Sequence, residues 1–470
     1  MSRGTMFAAT ARRERVAQER PAWKADAFAP ASSLFSGVNW SVGLFGLMGY
    51  VFVIHSFRLN IGAAMIALSI VGVALRGRKL LLPPPLLWFG VWIIWGTVAI
   101  FWSPFPDLVV ARAWDYAKLW VVFALIVNVL DDRPTARFYT VFWLAMVALF
   151  PIRGAFTNYL FGHNISGRFQ WNFFFGNPND LATYCLLPLA GCLSLLERER
   201  AGWVKLAAIG GVIIIPLVIL ATQSRGAVVG LAVFGAIVLW RLRRNALTWI
   251  VVPIAAVVVA MAAPKSVWDR LGRMVNLSSV ETVGLADSSA EQRLEILRVG
   301  WTIFIEHPVG GVGLGVYPRV HETMVETRSN LSKFAGGGRD THNTFLNIAA
   351  ETGIVGLAMF VFGLLGSLLS GIRRRVNVVK MAAPKTANQL LTLEAGLIGY
   401  LVAAMFGTEH INAYPYLYMA IFMATAGTAL SAQRSVQPLR GPSGIGSRKA
   451  IAQRSARLMP GRRATQPARP

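Results

Sequence analysis

Residues 336–360 read GGGRDTHNTFLNIAAETGIVGLAMF, a polar loop that runs straight into an apolar helix. Three glycines close the loop, and Asp340 or Thr341 is placed to cap a first turn. Apolar residues then recur at helical spacing well past Phe360. Arg339, Asp340, His342 and Asn343 therefore stand at the waterline of a membrane-crossing segment, with Glu351 inside it. That reading sets the fold class: an all-α, polytopic membrane helical bundle.

Composition agrees. The chain has 470 residues, 55% apolar and only 14% charged, with a mean hydropathy of +0.52. About twelve transmembrane helices are expected, each spanning a hydrocarbon core of roughly 30 Å. They fall at 36–57, 60–75, 85–103, 109–130, 137–153, 179–196, 202–221, 225–240, 246–263, 342–370, 390–408 and 414–432. Three domains follow: a basic cytoplasmic leader (1–35), a transmembrane domain (36–432) with a large periplasmic loop (264–341), and a basic, disordered cytoplasmic tail (433–470). The leader has no apolar run with a small-residue cleavage site.

The net charge of +24 raises the question of nucleic acid, and its distribution answers it. With both termini cytoplasmic, 31 of the 46 Lys/Arg lie in the leader, the tail and the connections at 76–79, 131–137, 197–205, 241–244 and 371–385. The loop 264–341 instead balances nine basic with nine acidic residues. That asymmetry reflects topology and contact with anionic inner-leaflet lipids, and no nucleic-acid partner is expected. Cys185 and Cys192, the two cysteines, stand seven apart on one helix face and read as packing residues. No metal-ligand signature is present, so neither a metal nor a cofactor is expected.

The long loop has structure of its own. Ser288 to Glu291 fits a capping box, and Leu294, Leu297, Trp301 and Phe304 make an apolar stripe that would lay the helix flat on the bundle. Polar residues gather at the same side of the membrane. NPND at 177–180 starts one span, with Asn177 and Asn179 as cap or ligand, and Arg168 lies in the loop before it. Arg225 stands at the mouth of another span, Arg293 and Arg298 on the loop helix, and Glu409 with His410 at the end of the eleventh span. An arginine fork at a helix mouth suits a phosphate. Bland readings stand beside these: Arg225 as a snorkelling side chain, NPND and His342 as caps, and Arg112, Asp115 and Lys118 as mutual neutralisers on one helix face.

Taken in order, FFFGNPNDLA (173–182), TQSRGA (222–227), EQRLEILRVGWTIFIEHPVGGVGLGVY (291–317) and HNTFLNIAAETGIVGL (342–357) resemble the O-antigen ligase and polymerase superfamily of bacterial envelope proteins. The match departs at Leu297, where related sequences often carry tryptophan. The resemblance implies an inner-membrane enzyme with a periplasmic active site. Its donor would be a polyprenyl-diphosphate-linked glycan, and its acceptor lipid A-core or a growing polysaccharide. It implies catalytic roles for Arg225, Arg293 and His342, and substrate contacts from Arg298, Asn343, Asn177, Asn179, Arg168, Asp340, Glu351 and His410. The expected chemistry is metal-independent and inverting: guanidinium groups stabilise the diphosphate leaving group, and His342 takes the acceptor proton. A repeat-unit polymerase is the sister reading, a twelve-helix transporter the rival from another class, and a scaffold for an envelope-synthesis complex a third.

Overall fold

The structure, a computed structural model, describes residues 33–57, 59–164, 167–171, 175, 177–242, 283–328, 337–381 and 383–434. The chain divides into two compact units, Ala29–Leu430 and Met1–Phe28 with Ser431–Pro470. Described residues up to Leu430 belong to the first, and 431–434 are the last residues of its closing helix. The expected leader lies outside the described residues except for 33–35, as does the tail from 435 on.

Among the described residues the regular structure is helical. In chain order the helices are α1 (Val42–Ser56), α2 (Gly62–Ala74), α3 (Pro84–Val98), α4 (Pro106–Val129), α5 (Arg133–Val147), α6 (Arg153–Leu160) and α7 (Pro178–Leu196). After these come α8 (Gly202–Ala221), α9 (Arg225–Leu242), α10 (Val283–Glu306), α11 (Tyr317–Thr327), α12 (Thr344–Lys380), α13 (Pro384–Ala403) and α14 (Ala413–Arg434). Local chemistry sets many of their starts. Proline occupies the first turn of α3, α4, α5, α7, α11 and α13, where its missing N–H costs nothing. Ser41, Asp132, Asn177 and Asn343 cap α1, α5, α7 and α12 through side-chain oxygens. Asn343 thus takes the capping role expected of Asp340 or Thr341. Pro151 removes one backbone donor, and the chain passes from α5 to α6 through a π turn at 148–152.

Six helices among the described residues are long and apolar enough to cross a membrane: Pro84–Phe101, Arg133–Leu160, Pro178–Leu196, Gly202–Ala221, Thr344–Lys380 and Pro384–Phe406. The apolar α1 and α2 are shorter; α2, with 13 residues, reaches only about 20 Å. The expected span at 246–263 lies outside the described residues. Solvent exposure follows a membrane pattern: Phe101 is 86% exposed, Leu160 78% and Leu206 70%. Helix α7 is the hub, with 78% of its most apolar stretch buried between α8, α9 and α13. Cys185 and Cys192 lie in it as buried free thiols.

The loop helix differs from expectation in two ways. It starts at Val283, five residues before the capping box, so Ser288 lies within it. Its packed face is Ile296, Val299, Gly300 and Ile303, whereas Leu294 and Trp301 of the expected stripe are more than half exposed. The helix carries two apolar stripes, and Gly300 decides between them. A Cβ there would lie 3.0 Å from Thr341 and 3.2 Å from Leu346, so this face sits flush against the start of α12.

Candidate active site

At one end of the bundle α7, α9, α12 and α14 begin, and α8 and α13 finish. Side-chain bonds tie these ends together. Arg168 donates from Nε to the Thr222 carbonyl (2.7 Å) and from Nη2 to Asn179 Oδ1 (2.8 Å), clipping the 167–171 strip to α7 and α8. Asn177 caps α7 by accepting from Asn179 N at 3.0 Å. Thr344 Oγ1 donates to the Gly407 carbonyl and accepts from Glu409 N, both at 2.8 Å, locking α12 to the α13–α14 turn. Gln223, with φ of +55°, makes the tight turn that sets Arg225 at the head of α9.

Two arginines and a histidine meet here. Burial and the charge of Arg225 together lower the Arg293 pKa. Burial, then Arg293, then Arg339 lower the His342 pKa. Arg225, on α9, is therefore an electrostatic neighbour of Arg293, on α10, and Arg293 of His342, at the mouth of α12. Each is half-buried. His342 has φ of +53°, a left-handed backbone uncommon outside glycine. His321 supports the loop below it, with Nδ1 3.1 Å from the Gly337 carbonyl. Arg298 is not part of the group: its side chain is 77% exposed and pairs with Glu295 on its own helix.

Beneath the cations α12 is broken. Gly353 has φ 66° and ψ −174°, a conformation essentially reserved for glycine. The break releases backbone groups, and the glycine-rich segment after α10 takes them up. Val312 N donates to the Ala350 carbonyl (3.0 Å), Gly313 N to that of Glu351 (2.9 Å), and Ile354 N to that of Pro308 (2.8 Å). Trp95 Nε1 reaches the Thr352 carbonyl at 2.9 Å. A broken helix at membrane depth is tolerated only when its freed groups are satisfied in this way. The two glycine motifs, GGVG at 310–313 and ETG at 351–353, are halves of one joint.

Glu351 sits at that joint, 2% exposed. Its Oε2 lies 3.9 Å from His410 Nε2 and makes no hydrogen bond among the described residues. His410 stacks on Tyr116, with ring centroids 6.2 Å apart, and its Nε2 is 3.5 Å from Asn347 Nδ2. Burial and the Glu351 charge raise the Asp340 pKa, while His410 and Arg112 work against the rise. Arg112 is thus a site neighbour rather than a member of an intrahelical cluster. Lys118 pairs with Asp115 at 2.8 Å, but Arg112 packs under Gly315, where a Cβ would meet its Cγ at 2.6 Å. Sequence reasoning did not select Arg112, Tyr116 or Asn347 for the site. Spacing along α4 gave no sign of the approach of Gly315.

A helical membrane protein with cationic and acidic clusters side by side at one end of its bundle is the class these features define. Residues 209–361 match the family model described as O-antigen ligase. The Teichuronic acid biosynthesis protein TuaE of Bacillus subtilis (strain 168) is 24% identical over 383 residues, covering 75% of this chain and 74% of that protein. Both findings bear out the resemblance to the O-antigen ligase and polymerase superfamily. The matched segment contains Arg225, Arg293, His342 and the Gly353 joint.

Proposed function

We propose that this chain is a membrane glycosyltransferase that moves a glycan from a polyprenyl diphosphate to an acceptor hydroxyl, in the manner of an O-antigen ligase acting on lipid A-core. The observation that carries the reading is the shared electrostatic environment of Arg225, Arg293 and His342, which arrive from three separate helices. Two like charges brought together at half-buried positions repel each other, and a diphosphate between them relieves that cost. In the reaction the acceptor oxygen forms a bond to the anomeric carbon as the bond to the diphosphate oxygen breaks. The leaving group keeps the electron pair and the anomeric centre inverts. Arg225 and Arg293 meet the charge gathering on that oxygen, the role a divalent cation plays elsewhere.

His342 takes the acceptor proton. Its lowered pKa keeps the imidazole neutral at neutral pH, as a base requires. Asp340, beside Glu351 and His410, offers a polar contact for the substrate. The loop helix closes over the site and keeps water from competing as acceptor. In this reading the site is periplasmic, both termini are cytoplasmic, and the chain crosses the inner membrane about twelve times.

A second reading is elongation of a polysaccharide by repeat units; the Bacillus relative is named for teichuronic acid biosynthesis. Purified protein supplied with a polyprenyl-diphosphate glycan and lipid A-core separates the two. A ligase transfers once to the core, whereas a polymerase yields a ladder of lengthening lipid-linked glycan. Neither product, with glycan flux in proteoliposomes, would point to a transporter.

A further inference from the structure

Packing settles one face of α10 and leaves the opposite face uncovered by the described residues. Ile296, Val299, Gly300 and Ile303 meet the bundle, whereas Leu294, Arg298, Trp301 and Ile305 are exposed. Their spacing of four, three and four residues keeps these side chains in one line along the helix. Past the helix end the line runs on to Val309, also more than half exposed. This C-terminal end is pinned to the rim of two membrane spans. Trp102 Nε1 donates to the Gly311 carbonyl at 3.0 Å, and a Cβ on Gly310 would lie 2.7 Å from the same indole. Trp102 directly follows the span Pro84–Phe101, whose 18 residues cover about 27 Å, close to the depth of a hydrocarbon core. Beside it Ile354 N, on the span Thr344–Lys380, donates to the Pro308 carbonyl. Phe101 and Ile354 are themselves exposed, so the uncovered line of α10 meets the outward apolar surface of both spans.

We infer that α10 is an in-plane interfacial helix, with Leu294, Trp301 and Ile305 seated against the acyl chains of the leaflet on the candidate site's side. The make-up of the line fits that occupant. An indole, apolar in body and wet at its N–H, favours the boundary between acyl chains and headgroups. Arg298 can lay its stem along the apolar layer and raise its fork to the lipid phosphates. A protein partner would instead have to bury that charge in the middle of an apolar stripe, a costly arrangement that a bilayer avoids. The inference rests on the surface of α10 alone and stands apart from the proposed glycosyl transfer. What it adds is a height: Arg293, one residue before Leu294, is held at the level of lipid phosphates by the same seating.

Spin labels read the seating in full-length protein reconstituted into liposomes of phosphatidylethanolamine and phosphatidylglycerol. Trp301→Cys and Ile305→Cys each carry a nitroxide, while the native Cys185 and Cys192 are buried. Glu326→Cys, at an exposed position on α11, is the aqueous control. Leu294→Cys reads the same face of α10 should either of the first two variants fold poorly. Oxygen concentrates among acyl chains, and a nickel chelate stays in water. Collisions with oxygen should exceed those with the chelate severalfold at 301 and 305, and the order should reverse at 326. Chelate collisions in excess at 301 and 305 would place the stripe in water and overturn the inference. Low collision rates with both reagents would place it under protein, whether a second copy or another segment of this chain, and overturn it equally.

Discussion

His342 shows how much one side chain owes to neighbours far along the chain. Burial, Arg293 and Arg339 all disfavour its protonation. Transfer activity should therefore persist to lower pH than a free imidazole, with an unperturbed pKa near 6.5, would allow. The sign is open to test. Arg339→Gln removes one of the positive charges, lets His342 protonate sooner and should move the acid limb of the pH–rate profile to higher pH. An unmoved limb would mean that another group controls it. His342 was legible in the sequence because a polar residue between a glycine loop and an apolar run has few places to go. Arg112 was not. Read along α4 it had Asp115 close by, and only the approach of Gly315 turns it towards Asp340.

Periodicity located most of the helices, because a lipid-facing helix announces itself by apolar length. It read α12 as unbroken, since a lone glycine in a helical pattern costs only about 1 kcal/mol and is common. The break at Gly353 exists because a distant segment supplies its missing partners, and such a bargain leaves no local mark. Gly353→Ala should therefore be severe: its Cβ would fall 2.0 Å from the Val309 carbonyl oxygen, in a backbone region closed to alanine. Gly311→Ala, with its Cβ 2.2 Å from the Glu351 carbonyl carbon, should behave alike. Gly210→Ala on α8, with open space around it, is the control and should leave the protein unchanged or slightly more stable. Melting curves in detergent check all three, and a wild-type curve for Gly353→Ala would contradict the joint. The same limit on local reading explains the loop helix, where two apolar stripes compete and the contact at Gly300 selects one.

The charge asymmetry that set the expected topology acts across the whole molecule, and ion pairs gather where it places the cytoplasmic connections. Arg137–Glu199 is the most enclosed, with the carboxylate side chain 1% exposed. Glu199→Ala should lower the melting temperature, because it leaves the half-buried Arg137 guanidinium without its bidentate carboxylate. Topology itself is tested with a membrane-impermeant maleimide, since Cys185 and Cys192 are buried and silent. His163→Cys, exposed beyond α6, should label from outside intact cells, and Gly202→Cys, exposed at the start of α8, only after lysis. The reverse order would invert the orientation. The account as a whole depends on one site drawn from three helices acting on one diphosphate, and a double-mutant cycle of glycan transfer addresses that directly. Arg225→Gln and Arg293→Gln should each slow transfer by about 10²–10³ without any effect of chelator. The double variant should lose clearly less than the product of the two, as groups acting as a unit do. Single variants that transfer at the wild-type rate would contradict the account.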